Sequence, residues 1–112
     1  MREIVLDTET TGLGPNTGDR IVEIGCLELI NRIATGETFQ CYVNPQRDMP
    51  AAAEAIHGLS TDFLSGHKIF AEIADAFLDF IGSSPLVIHN AAFDMGFLNA
   101  ELARLERAPL DE

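Results

Sequence analysis

An α/β fold, with a mixed sheet and helices on its faces, is predicted by three features of this 112-residue chain. Three β-type runs crowd the first 43 residues, helical patterns fill most of the remainder, and a fourth short apolar run interrupts those patterns before the last of them. The predicted order is β, β, β, α, α, β, α. Three leading strands followed by a helical crossover imply that the fourth strand runs parallel to the first through a right-handed connection, in an α/β or α+β class.

Each element has its own signal. Glu3-Ile4-Val5-Leu6-Asp7 is a continuous apolar run of the kind a central strand buried on both faces shows. After the polar segment from Thr10 to Gly18, the runs Arg20 to Ile30 and Thr38 to Val43 predict an antiparallel hairpin joined through Asn31 to Gly36. Pro50 opens an alanine-rich stretch that stops at Gly58, which predicts a short helix with His57 at its end. From Ile69 to Gly82, apolar residues recur at three- and four-residue spacing with Glu72, Asp75 and Asp79 between them, the pattern of an amphipathic helix. Pro85 to His89 predicts a short buried strand. Asn90 then caps a last helix carrying Phe93, Phe97, Leu98, Leu102 and Leu105.

The composition is that of an ordinary globular protein, 46% hydrophobic and 22% charged, which excludes a disordered or collagenous chain. No repeat or linker divides it, so it is one domain at most. Cys26 and Cys41 sit in apolar strand-like runs without metal-ligand spacing and read as buried free thiols. Arg2, Glu3, Asp7 and Glu9 interrupt the N-terminus where a signal peptide needs unbroken apolar residues, so a cytoplasmic location is expected. Seven Lys plus Arg against 18 Asp plus Glu give a net charge of −11, which repels nucleic-acid phosphate unless some carboxylates hold divalent cations. His67 has no motif around it and reads as surface, and His89 reads as a structural histidine on a buried strand.

The positions of the carboxylates therefore decide the matter. Asp7 and Glu9 are two residues apart at the end of the first strand and share one face, so both can reach one spot. Two neighbouring anions raise each other's proton affinity unless a cation lies between them, and oxygen-ligated Mg or Mn is the usual partner. Asp94 lies in the first turn of the last helix and leans toward the end of the fourth strand; if that strand borders the first, three carboxylates converge beyond the strand ends. Taken singly, Asp94 fits a helix N-terminus for the macrodipole alone, and an Asp-x-Glu after a strand is often a turn.

Asp7-Thr-Glu-Thr-Thr-Gly12 and His89-Asn-Ala-Ala-Phe-Asp94 resemble the first and second motifs of the DEDD 3'-5' exonucleases. Arg20-Ile-Val-Glu-Ile-Gly25 and Ala55-Ile-His-Gly58 fall where that family has such segments, and the likeness within it is to the proofreading subunits of bacterial replicative polymerases. The resemblance runs along nearly the whole chain. It implies a ribonuclease H-like α/β fold lacking its last strand and helices, with residues 1–112 a partial exonuclease domain that holds the first and second motifs only. It implies two divalent cations, Mg or Mn, with Asp7 on both, Glu9 on one and Asp94 on the other as the catalytic and metal-binding residues. The implied reaction releases nucleoside monophosphates from the 3' end of single-stranded DNA, with polymerase subunits as partners of the intact protein. Implied substrate contacts are the backbone of Thr10 and Gly12, Leu13 as a wedge between the last bases, and His57 and Phe93 lining the pocket. Read locally, Gly12 is a turn glycine, Leu13 and Phe93 are core, and His57 caps its helix.

The family's third motif, a His or Tyr followed by a fourth Asp, has no counterpart between Met95 and Glu112, where the remaining acids are Glu101, Glu106, Asp111 and Glu112. Weak or absent activity of this chain is the expected consequence, together with an apolar edge from Pro85 to His89 open to self-association. Three alternatives stay in view. An RNA-degrading member of the superfamily would use the same chemistry, and a non-catalytic polymerase-associated module would dispense with the third motif. The first strand also resembles the nucleophile motif of haloacid-dehalogenase-like phosphatases, although that family calls for Asp where Glu9 stands.

Overall fold

A computed structural model of the chain describes residues 1–110. Strands β1 (Arg2–Thr10), β2 (Ile21–Ile30) and β3 (Ile33–Tyr42) are followed by helices α1 (Ala51–His57), α2 (Thr61–Ser65) and α3 (Phe70–Ile81). Strand β4 (Leu86–Val87) and helix α4 (Ala91–Arg104) complete the order. The four strands form one sheet in the order β3-β2-β1-β4. β1 is antiparallel to β2 and parallel to β4, with Ile4 opposite Leu86 and Val5 opposite Val87. The mixed sheet and the adjacency of first and last strands agree with the sequence pattern.

Burial follows the two-residue strand period. Ile4, Leu6, Thr8 and Thr10 of β1 are buried, whereas Val5 and Glu9 are half-buried and Asp7 is exposed. The apolar run at Ile4 to Leu6 therefore belongs to a strand interior to the sheet but buried on one face only, a correction to the expectation of two covered faces. The covered face meets α3 and α4, where Phe77, Phe97, Leu98 and Leu102 pack with Ile4, Leu6 and Ile24. Full burial of a side chain such as Phe77 contributes about 1.5–3 kcal/mol. A second cluster, Val22, Met49, Ala53 and Leu64, seats α1 and α2.

Several boundaries depart from the sequence expectation. β3 begins at Ile33, because Asn31 (φ 50°) and Arg32 (φ 66°) make a two-residue turn, and the chain does not loop through to Gly36. Pro50 is the cap of α1, one residue before its first turn, and Gly58 ends it at φ 74°. Helix α2 has no counterpart in the predicted order. Ser60 caps it by accepting a hydrogen bond from Phe63 N–H. β4 is only two residues long, and His89 lies exposed in the turn after it, which overturns its reading as a residue of a buried strand. Asn90 occupies the cap of α4 with φ 56° and makes no side-chain capping bond, so it contributes conformation and no cap acceptor.

Cys26 is buried, but Cys41 is only half-buried. Their strand partners are Phe39 and Ile24 respectively, a diagonal relationship about 7–8 Å across, too wide for a disulfide. Burial, and then the neighbouring Cys41, pushes the Cys26 thiol up to about 12; burial likewise raises Cys41 to about 11. His67 is half-buried, its ring 4.8 Å from that of Phe63 and 5.3 Å from that of Tyr42, so it joins an aromatic cluster and is not a bare surface residue. Among the described residues no helix is long and apolar enough to cross a membrane. Asp111 and Glu112 lie outside the described residues.

Candidate active site

The ends of β1 and β4 and the start of α4 meet on one side of the molecule. Asp7 and Glu9 project from one face of β1, opposite Gly25 and Glu23 of β2. Gly25 has open space where a side chain would stand, so the cleft of about 190 Å³ lined by Asp7, Glu9 and Glu23 stays clear beside Asp7. Thr8, between the two acids, projects to the helix-covered face, and its hydroxyl donates to Asp94 Oδ1 at 2.6 Å. Asp94 thus reaches β1 from the covered side, whereas Asp7 and Glu9 stand on the other. Among the described residues no three Asp, Glu, His or Cys side chains gather tightly enough to ligate one ion together.

The acids nevertheless feel one another. Burial raises the proton affinity of Glu9, and the negative charges of Asp7, Glu23 and Asp94 raise it further against a lowering by His57. Burial also raises Asp94; Asp7 adds to that, while the Thr8 hydrogen bond and His89 oppose it. Asp7, Glu9 and Glu23 around the open cleft, with Asp94 reached through Thr8, are hard carboxylate oxygens, the donor chemistry a divalent cation takes. The residues present fit that group.

Helix α4 is braced at a second point, two turns beyond Asp94. Glu101, 1% exposed, accepts from Arg20 Nε at 2.8 Å and Arg20 Nη2 at 2.6 Å, and from Ile21 N–H at 3.3 Å. Arg20 precedes β2 directly, and Ile21 is the β2 partner of Thr10. The buried pair therefore ties the Asp94 face of α4 to the end of β1. Sequence reasoning treated Glu101 only as a leftover acid; its position seven residues after Asp94, on the same helical face, was the available signal.

A second cavity, of about 500 Å³, opens beside Glu9 and collects the five remaining expected residues. Thr10 donates its hydroxyl to Gly12 O at 2.6 Å, and the Thr10 carbonyl accepts from His57 Nε2 at 3.1 Å. Because Leu59 N–H donates to His57 Nδ1, that nitrogen is the acceptor, and both ring nitrogens are used within the chain. Leu13 is 85% exposed at the cavity rim, which removes the local reading of it as core. Phe93 is half-buried and packs on Phe97 with ring centres 5.0 Å apart while lining the same cavity.

Gly12 is required by close approach. A side-chain carbon there would lie 2.5 Å from Asp19 Oδ2, and that carboxylate is held by Thr11 Oγ1, Gly14 N–H and Arg47. Burial alone would raise Asp19, but the hydrogen bonds from Thr11 and Gly14, with Arg47, outweigh it and hold the group below its ordinary value. Ile56, 82% exposed and lining the same cavity, was missed by sequence reasoning. Its signal was that it is the one large apolar side chain in an otherwise alanine-rich helix.

Comparison with known proteins matches residues 4–111 to the family model described as exonuclease. The chain belongs to the exonuclease family. It is 56% identical over 110 residues to the DNA polymerase III subunit epsilon of Rickettsia felis, covering 98% of this chain and 48% of that protein. Against the same subunit of Escherichia coli K12 the identity is 46% over 110 residues, with 95% and 45% covered. This exonuclease-family chain spans about half the length of the curated relatives it matches. The E. coli exonuclease I structure in complex with a dT13 oligonucleotide superposes with a TM-score of 0.85 at 18% identity, over 96% of this chain and 25% of that one. That likeness shows a shared ribonuclease H-like fold.

Proposed function

We propose that residues 1–112 form a partial exonuclease domain, with the first and second motifs of a 3'-5' exonuclease that removes nucleoside monophosphates from single-stranded DNA 3' ends. The observation that carries this is the parallel β1–β4 pairing, which brings Asp94 to the strand end that bears Asp7 and Glu9. The names of the epsilon-subunit relatives support a proofreading role beside polymerase subunits, and a cytoplasmic location follows from that role.

Asp7, Glu9 and Asp94 are the residues that would hold two divalent cations, Mg or Mn. The chemistry such cations supply is activation of an attacking water and neutralisation of charge on the attacked phosphodiester and the departing 3' oxygen. They also offset the −11 charge that otherwise repels DNA. Beside them, Leu13 and Ile56 offer exposed apolar surface to the terminal bases, and Phe93 offers a ring on which a base can stack. The backbone of Thr10 and Gly12 lies within the cavity wall, with the Thr10 hydroxyl donating to Gly12 O and Asp19 accepting from the flanking Thr11 hydroxyl and Gly14 N–H. His57 orients the Thr10 carbonyl and contributes its ring, both nitrogens being engaged.

No His or Tyr follows Asp94, so the general base and fourth acid of the family pattern are not among these residues, and weak turnover is expected. The test is a single-turnover assay with protein in excess over a 3'-labelled mismatched DNA primer and a short RNA, in Mn, beside Asp7→Ala. Slow stepwise release of mononucleotides from the DNA by the wild-type chain alone is expected. Release by Asp7→Ala at the same rate would discredit the assignment, and preferential release from RNA would move it to the RNA-degrading branch.

A further inference from the structure

Thr8 is a buried hydroxyl to which no role has so far been given. It is 8% exposed and Asp94 is 4% exposed, and their 2.6 Å hydrogen bond joins positions 86 residues apart. It is the one hydrogen bond that the Asp94 side chain accepts among the described residues. A carboxylate only accepts, so the single hydroxyl hydrogen of Thr8 is committed to Asp94. Thr8 is β-branched and sits mid-strand, where its rotamer is stiff, and water is excluded from the contact.

We infer that Thr8 is the positioning residue for Asp94, its hydroxyl fixing the carboxylate by Oδ1 and leaving Oδ2 as the oxygen with ligating capacity, an inference that rests on the cation site proposed above. The two braces on α4 divide the work. Arg20 and Ile21 hold the helix through Glu101, so its place on the sheet does not depend on Thr8. The Thr8 hydroxyl governs the rotamer of one side chain on a helix already anchored. Partners of this kind, which orient a ligating group without touching the ion, typically change metal affinity by 10–100-fold when removed. Threonine at this position therefore links the strand that presents Asp7 and Glu9 to the third acid, and a methyl in place of the hydroxyl leaves the packing but not the orientation.

The test is a Mn²⁺ titration of the 112-residue chain followed by electron paramagnetic resonance of the free ion, for wild type, Thr8→Val, Thr8→Ser and Asp94→Asn, with a circular dichroism melt of each. Thr8→Val is expected to bind Mn²⁺ about 10-fold more weakly while melting within a few degrees of wild type, and Thr8→Ser to restore binding. Equal binding by Thr8→Val and wild type overturns the role of Thr8 and leaves the cation site standing. Failure of Thr8→Ser to restore binding assigns the effect to packing and overturns it as well. No binding by wild type, or equal binding by Asp94→Asn, overturns the cation site and Thr8 with it. Should Thr8→Val not fold, the hydroxyl proton is followed in wild type by NMR. A slowly exchanging Thr8 hydroxyl proton that loses protection in Asp94→Ala supports the contact, and fast exchange in both overturns it.

Discussion

Val5 of β1 and Val87 of β4 are parallel strand partners, and that pairing, seven residues before Asp94, delivers the chain to the start of α4 at Ala91. From there Asp94 returns to β1 at Thr8, one residue from both Asp7 and Glu9. Two adjacent strand ends thus bring Asp94 to Thr8 on the helix-covered side of β1, with Asp7 and Glu9 on either side of Thr8 and on the other face.

The burial of Asp94 has a pH signature. Folding raises the proton affinity of Asp94 chiefly through burial, so its favourable contribution is complete only below the ordinary value of 3.8 and is lost as pH rises through the raised one. Asp94→Asn, which keeps an oxygen for Thr8 to donate to, should raise Tm by a few degrees at pH 7 with divalent ions chelated. The gain should shrink toward zero as pH falls below 3.8. Paired thermal melts across pH measure this; a lower Tm for the variant at pH 7 would contradict it.

Divalent cations should act in the opposite sense on the wild-type chain. Added Mg²⁺ or Mn²⁺ should raise its Tm at pH 7, the rise growing with the logarithm of ion concentration above Kd, EDTA should reverse it, and Asp7→Ala should abolish it. A rise of the same size in Asp7→Ala would show that the ions act at scattered surface carboxylates.

The Arg20–Glu101 pair should behave as a buried ion pair does. Replacing Arg20 leaves Glu101, 2% exposed, with only Arg104 at 3.6 Å and the Ile21 N–H, and should cost about 3 kcal/mol in urea unfolding; replacing Glu101 should cost less, since Arg20 is 20% exposed. The double variant Arg20→Met with Glu101→Leu should recover most of that loss. A single variant costing under about 1 kcal/mol would show that the pair does not brace α4.

At the cavity rim, stability and binding should separate. Leu13→Ser should leave stability within about 0.5 kcal/mol, since the residue is 85% exposed, yet weaken capture of a 3'-labelled single-stranded oligonucleotide measured by fluorescence anisotropy. Gly12→Ala should impair both, because displacing the Asp19 carboxylate costs about 1–3 kcal/mol and frees the loop that carries Leu13. Unchanged binding by Leu13→Ser would remove the wedge role.

Much of the framework was legible because hydrophobic period reports burial directly. The amphipathic spacing from Ile69 to Gly82 gave α3, and the order of strands and crossover gave the β1–β4 neighbourhood. What escaped depended on tertiary context. Asn31-Arg32 adopts two positive φ angles without the Asn-Gly that usually announces such a turn, so β3 was expected five residues late. α2 is five residues long, too short for a periodic signal. His89 was expected inside a strand because Pro85 to Ile88 is apolar, but only Leu86 and Val87 find partners on β1. At the candidate site, the shared strand face of Asp7 and Glu9 was legible from spacing, whereas the Thr8 and Glu101 contacts join residues more than 80 positions apart and carry no local pattern.

The most direct measurement is residue-resolved NMR of the ¹⁵N-labelled chain with substoichiometric Mn²⁺. Paramagnetic broadening should be concentrated on the amides of Asp7 to Glu9, Glu23 to Gly25 and Asp94, and should vanish in Asp7→Ala. Broadening spread over distant exposed acids such as Glu54, Asp62 and Asp75, with those three segments left sharp, would contradict the assignment of a cation site.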